Sequence, residues 1–189
     1  MPVVTITLLQ GYDEETRQTL GERLTDAVRA TIAAPLEGIT VILHEVAKPV
    51  GYMRGRVSRT PGAPLPSPAK LVRAYLDAAA APDFGKAGEM VADGFTSIYP
   101  GGVEFGSLEE LMPWAEERYR SVKKTYERID EVACEEGVAV YAFGTLGGQW
   151  PDGTAFEGVR FIDRFTVRDG KLADQRVWND LAESRTAPA

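Results

Sequence analysis

Two residues of this 189-residue chain stand where their chemistry could matter. The first is Pro2. Removal of an initiator methionine, which a small second residue permits, would leave it a free secondary amine. An α-amino group titrates at about 8, and an apolar pocket or a nearby cation draws that value toward neutrality, so the nitrogen could act as a general base. The plainer reading is that Pro2 opens an edge strand. The second is Asp163. Strand alternation puts Val159, Phe161, Phe165 and Val167 on one apolar face, and Asp163 falls on the same face. A carboxylate there is costly unless it is paired or protonated. Arg160 and Arg164 point the other way, so Asp163 is either bonded to nearby backbone or a tyrosine, or it is a pocket acid, and perturbed buried carboxyls concentrate at functional sites.

The elements that must position these residues follow from pattern. PVVTITLL over residues 2 to 9 reads as a strand closed by Gln10-Gly11. Asp13 is a candidate N-cap, with Glu14 and Glu15 where the helix dipole favours negative charge. The stripe Leu20, Leu24, Ala27, Val28 and Ile32 predicts a helix from Glu14 to Ala33. Residues 39 to 46 form a second strand, expected to lie parallel to the first after the helical crossover. A unit of this size cannot bury enough surface alone and must dock or oligomerise. Pro61, Gly62, Pro64 and Pro66 then mark a linker.

Beyond it, Ser67-Pro68 opens a helix with buried positions Leu71, Val72, Tyr75, Leu76 and Ala79. A short helix over 84 to 91 and a strand over 95 to 99 follow, and Pro100-Gly101-Gly102 ends that strand. Ser107 and Glu110 propose a capping box for a helix whose apolar face holds Leu111, Trp114, Ala115 and Val122. Strands over about 125 to 134, 138 to 149, 154 to 167 and 171 to 179 are joined by hairpin turns. Helices followed by an antiparallel meander give an α+β domain. The boundaries are 1 to 56, a linker over 57 to 67, a second domain over 68 to 185, and a tail over 186 to 189.

Composition narrows the function. With 44% apolar and 26% charged residues the chain reads as soluble and globular. A net charge of −7 disfavours nucleic acid and anionic lipid as partners. One cysteine and one histidine allow no zinc cluster within the chain, and one cysteine allows no intrachain disulfide. The cytoplasm is the expected compartment. No metal, other cofactor or membrane partner is called for. Absence of a nucleophile-elbow motif argues against a hydrolase.

Residues 2 to 56, through PVVTITLLQG, TRQTL and APLEGITVILHEVAK, resemble the 4-oxalocrotonate tautomerase family. That resemblance implies a β-α-β module in which Pro2 is the catalytic acid/base, moving a proton between carbon and oxygen of an enol or ketone. It also implies a homo-oligomer, a dimer or a hexamer. At the positions of the family's dicarboxylate-binding arginines this sequence has Tyr12 and Thr40, and Tyr52 stands in for the aromatic wall. Arg54, Arg56 and Arg59 could supply a replacement cation.

Residues 68 to 185, with GTLGGQWPDGTAFEGVRFIDRF and VWNDLAE, look like the superfamily of nuclear transport factor 2, ketosteroid isomerase and the SnoaL-like polyketide cyclases. The resemblance implies helices packed on a curved, mainly antiparallel sheet around a cone-shaped pocket. In it Tyr75 and Asp163 match the oxyanion-hole tyrosine and aspartic acid of ketosteroid isomerase, and Tyr99, before Pro100, stands where that enzyme has its carboxylate base. Trp114, Tyr119, Phe143, Trp150, Phe161 and Trp178 could line an aromatic cavity, although each could equally be core. The leading expectation is a cofactor-independent isomerase, tautomerase or cyclase acting on an apolar enol or enone of polyketide-like or polycyclic type. A non-catalytic binding or assembly protein is the alternative.

Tyr12 and Thr40 cannot make the bidentate contacts that arginine makes to a carboxylate. A dicarboxylate enol is therefore expected to turn over more slowly than its neutral analogue at the Pro2 site. Comparing kcat/KM for such a pair checks this, and a strong preference for the dicarboxylate would mean that another cation has taken the arginines' place.

Overall fold

The computed structural model describes residues 1–47, 53–54, 57–58, 60–81 and 83–186. They divide into two compact units, Met1–Pro64 and Leu65–Ala189.

In the first unit, strand β1 (Val3–Leu9) pairs in parallel with β2 (Thr40–Val46), in the register Val3 with Thr40 and Leu9 with Val46. Helix α1 (Glu14–Thr31) makes the crossover. The Asp13 carboxylate accepts from the Thr16 backbone N–H at 2.8 Å, as an N-cap should. The helix stops two residues short of the expected Ala33. Ile32 is extended and 51% exposed, so the stripe ends at Val28. Leu20, Leu24 and Val28 are only half-buried, and no residue of α1 is fully buried. On the sheet face away from the half-buried Val4, Ile6, Val41 and Leu43, Val3 is 58% and Ile42 38% exposed. Two short strands, β3 (Met53–Arg54) and β4 (Val57–Ser58), pair antiparallel, so the stretch read as linker begins with a strand.

In the second unit, α2 (Pro68–Ala80) begins with proline at its first position, and the Ser67 hydroxyl accepts from the Lys70 N–H at 3.4 Å. A short α3 (Phe84–Gly88) leads into β5 (Val91–Tyr99). Gly101 and Gly102, at φ 90° and 77°, make a turn that only glycine adopts freely. It leads to β6 (Val103–Phe105), a strand the sequence pattern did not indicate. In α4 (Leu108–Arg118) the Ser107 hydroxyl accepts from the Glu110 N–H at 3.3 Å, while the Glu110 carboxylate reaches back to the Gly106 N–H at 2.7 Å. The meander is β7 (Ser121–Cys134), β8 (Gly137–Gln149), β9 (Ala155–Arg168) and β10 (Lys171–Asn179), and α5 (Leu181–Thr186) ends the unit.

The six strands run in the order β6-β5-β10-β9-β8-β7, antiparallel throughout except for β5 beside β10. Bulges in the β7–β8, β8–β9 and β9–β10 ladders bend the strands locally. Val72, Tyr75, Leu76 and Ala78 of α2 pack on Val140, Phe165, Val167 and Leu172 of the sheet, and a second core joins Leu146, Trp150, Phe156, Val159, Phe161 and Leu181. Each fully buried Val, Leu or Phe among them contributes about 1.5–3 kcal/mol.

Gly144 shows how tightly the sheet is drawn. A Cβ placed there would collide with the Thr125 carbonyl oxygen and stand 3.0 Å from the Phe161 ring. Both neighbours are held, one by the β7 backbone and one by the core. Gly144→Ala is expected to lower stability by about 1–3 kcal/mol through overpacking, read as a fall in the urea midpoint; an unchanged midpoint would mean that β7 can give way.

Candidate active site

A cavity of ≈ 650 Å³ in the second unit is lined by residues of α2, α4 and the sheet. Strand alternation aims Tyr99, Phe161, Gln175 and Val177 into it, and helical spacing aims Tyr75 of α2 and Trp114 of α4. Asp163 lies behind this wall. Its neighbours across the sheet are Ala142 on β8 and Val177 on β10, and neither can hydrogen-bond through its side chain. The carboxylate is 0% exposed. One oxygen, Oδ2, accepts from the Lys124 ammonium, and among the described residues Oδ1 has no hydrogen-bond partner.

Burial pushes the Asp163 carboxyl above its ordinary range, and the Lys124 charge and hydrogen bond only partly offset it. Arg160 and Arg164 are not its partners. They pair with Asp180 at 2.7 Å and Asp174 at 2.9 Å, on the opposite face as alternation requires. The hydrogen bond that the described residues show for the Asp163 carboxyl comes from Lys124 and not from Tyr75, although the Asp163 charge still acts on the Tyr75 hydroxyl.

Four tyrosines surround the cavity. Burial raises the hydroxyl pKa of Tyr75, Tyr99 and Tyr126, and the Asp163 charge adds to it. Burial also raises Tyr119, against the lowering effect of Arg118. All four are therefore proton donors at neutral pH. Tyr99 in particular moves away from the base that its position suggested.

Cations outnumber acids in the wall. Arg73, Arg118, Arg120, Lys123 and Lys124 line it against Asp77 and Glu116. Three of these cations sit over aromatic rings: Arg73 over Tyr126 at 4.3 Å, Arg118 over Trp114 at 4.4 Å and Lys124 over Phe161 at 4.8 Å. Such stacking holds a charge beside a ring without needing a carboxylate. A purely apolar pocket is therefore not what the chain builds. Its wall combines flat rings with positive charge.

Trp114, Tyr119 and Phe161 are in this wall, but three other aromatics are not. Phe143 pairs in register with Ile162 and stacks on Tyr141, and Trp178 pairs with the same Ile162 and is 51% exposed, so both lie on the opposite sheet face. Trp150 packs against Phe156 at a ring separation of 4.5 Å and belongs to the second core. Lys124 is hidden from sequence pattern because Val122 fits the apolar face of the helix before it. The helix ends at Arg118, β7 begins at Ser121, and Val122 is 38% exposed. With that boundary, alternation along β7 puts Lys124 on the same face as Tyr126.

In the first unit, Pro2 is half-buried and its carbonyl accepts from the Thr40 N–H at 3.1 Å. Met1 is 91% exposed, so its loss would remove no packing. Tyr12 is half-buried ahead of α1. Tyr52, Arg56 and Arg59 lie outside the described residues. An open depression between α1 and β2, lined by Arg17, Gln18, Val41 and Glu45 among others, includes none of Pro2, Tyr12 and Thr40.

Family profiles match both units: "Tautomerase enzyme" over residues 2–60 and "SnoaL-like domain" over residues 72–175. The chain belongs to the SnoaL-like family and carries a tautomerase module at its N-terminus. The module is 44% identical over 48 residues to a probable tautomerase of Bacillus cereus, covering 25% of this chain and 79% of that protein. It is 40% identical over 48 residues to the 2-hydroxymuconate tautomerase of Bacillus subtilis, covering 25% of this chain and 77% of that protein. Among solved structures, TerC co-crystallised with polyporic acid superposes with a TM-score of 0.52 at 15% identity, covering 60% of this chain and 92% of that one. An NTF2-like protein from Burkholderia thailandensis gives 0.52 at 16%, covering 65% and 100%. These two likenesses show the fold of the SnoaL-like unit. By its families the chain is an enzyme of the isomerase (tautomerase) or SnoaL-like cyclase class. No described helix is long and apolar enough to cross a membrane.

The Lys124–Asp163 pair is asymmetric, since Lys124 retains 25% side-chain exposure and Asp163 none. Removing the cation leaves a buried carboxylate unpaired. Lys124→Met is expected to cost about 3–5 kcal/mol near neutrality. Because the folded-state pKa of Asp163 lies above its unfolded value, the folded chain binds that proton more tightly. The penalty therefore grows as pH rises and shrinks as pH falls toward the unfolded value. Urea unfolding at about pH 5 and about pH 8 should show the smaller loss at the lower pH; equal losses would mean that the carboxyl finds another partner.

Proposed function

We propose that the C-terminal cavity isomerises or cyclises an enolisable ketone or enone without a cofactor, and that Pro2, once Met1 is removed, is the general base of a second, tautomerising site. The observation that carries the first half is the fully buried Asp163, bridged among the described residues by Lys124 alone, beneath a cavity that Tyr75 and Tyr99 line. Proton abstraction next to a carbonyl puts negative charge on oxygen. Fixed donors in a water-poor site stabilise that charge most effectively. The Tyr75 and Tyr99 hydroxyls, kept protonated by burial, and the Lys124 ammonium are such donors. Asp163 positions Lys124 and can take or return a proton through it.

The rings of Trp114, Tyr119 and Phe161 suit a flat, largely apolar body, and the wall cations suit an acidic oxygen on it. That TerC, which shares the fold, was crystallised with polyporic acid is in keeping with such an occupant. For the N-terminal site, the motive is the strand behind Pro2 and the tautomerase relatives of this module. The thin first unit, with Val3 and Ile42 exposed, supports assembly as a dimer or hexamer. In this reading residues 1 to 56 and 68 to 185 are separate catalytic modules.

Two variants separate the sites. In a preparation whose intact mass shows a chain starting at Pro2, Pro2→Ala should lower enol–keto turnover of a simple substrate by about 100-fold or more and leave ligand binding in the C-terminal cavity alone. Asp163→Leu should weaken binding of a phenolate or enolate analogue and spare the Pro2 reaction. If neither variant changes turnover of any enolisable substrate, the two folds serve binding rather than catalysis.

A further inference from the structure

Lys124 combines three features that the reactions above do not require together. Its side chain forms part of the cavity wall. Its nitrogen sits 4.8 Å above the Phe161 ring centre, so a flat ligand stacked in the cavity would meet it. Its only hydrogen-bond partner among the described residues is a carboxylate with 0% exposure and one oxygen left bare. A lysine that merely neutralised a wall would not need a buried counter-ion, and a structural ion pair would normally satisfy both carboxylate oxygens. The neighbouring Lys123 lines the same cavity and is exposed, so it supplies an internal comparison.

We propose that Lys124 is a catalytic amine that forms a covalent iminium with the carbonyl carbon of the cavity's substrate, with Asp163 as its proton carrier. This rests on the reading of the cavity as a site for a carbonyl compound. The step balances within the pair. Lys124 as an ammonium hands one proton to Asp163, leaving a neutral amine beside a neutral acid. The nitrogen lone pair attacks the carbonyl carbon, the C–O π bond breaks, and a proton passes from nitrogen to that oxygen to give a carbinolamine. Asp163 returns its proton to the hydroxyl, which leaves as water while the C=N bond forms. The iminium is again a cation and Asp163 again an anion, so the pair recovers its charges around a substrate now activated at the adjacent carbon. The apolar surroundings of Asp163 favour the neutral intermediate arrangement over the charged one.

Reductive trapping tests this on the full chain. The probe is benzaldehyde with cyanoborohydride, which fixes an iminium as a benzyl amine, and peptide mapping distinguishes Lys124 from Lys123, from other lysines and from a freed Pro2. Binding is followed separately as quenching of tryptophan fluorescence that Trp114→Phe abolishes. Lys124 is expected to be labelled about tenfold faster than Lys123, and Asp163→Asn should slow that labelling by about tenfold while changing probe affinity by less than about twofold. Probe that binds while Lys124 is labelled no faster than Lys123 would overturn the covalent role and leave the cavity reading intact. Equal labelling in wild type and Asp163→Asn would remove Asp163 from the step. Absence of binding by this and by larger aromatic aldehydes would overturn the cavity reading itself.

Discussion

The SnoaL-like unit is organised around one unfavourable event, the burial of the Asp163 carboxylate. Its nearest sheet neighbours are Ala142 and Val177, so no side chain beside it can hydrogen-bond, and the compensating cation must come from further away. Lys124 stands opposite Leu146 of β8, and the residue on the inner face of β8 between Leu146 and Ala142 is Gly144. A side chain there would stand against Phe161 and the β7 backbone. The bare glycine and the irregular β7–β8 ladder therefore belong to one arrangement. An ion pair of this kind is weak support for stability, because desolvation consumes most of the Coulomb gain. Its half-satisfied state among the described residues is in keeping with the chemistry proposed for it.

Charge is distributed to the same end. The chain carries −7 overall, yet the cavity wall holds five cations against two acids. Stacking over rings helps hold Arg73, Arg118 and Lys124 at the wall, and Lys124 also pairs with Asp163 behind it. Arg73 is shared, since Asp77 also holds it at 3.1 Å. The result suits a ligand whose body is flat and apolar and whose reacting oxygen becomes negative.

The two units differ in how completely they satisfy themselves. The second buries two cores around its sheet. The first has one helix on a two-stranded parallel sheet, buries no helix residue and leaves apolar side chains on its other face. A parallel sheet normally has both faces covered, and among the described residues one face of this sheet stays open. That is in keeping with the assembly proposed for it.

Local rules carried the sequence reading a long way. Asp13, Ser67 and Ser107 cap helices through hydrogen bonds that depend on three or four consecutive residues, and the parallel β1–β2 pairing follows from a short crossover. Alternation alone put Asp163 on the buried face and Arg160 and Arg164 on the other, because a strand's two-residue period needs no partner. What alternation cannot supply is the partner itself. Lys124 is 39 residues from Asp163 and reaches it only because β7, β8 and β9 pair in a particular register. The same limit explains the aromatics. Phe143, Trp150 and Trp178 have the composition of cavity residues, but sheet face and core packing exclude them, while Trp114, Tyr119 and Phe161 enter the wall. Sequence by itself determined the main elements and the strand face that carries Asp163, since each is set by neighbours along the chain, while β6 and the start of β7 were not legible in it. Tertiary structure alone decided which cation pairs with that acid, because the pairing joins residues that only the folded sheet brings within bonding distance.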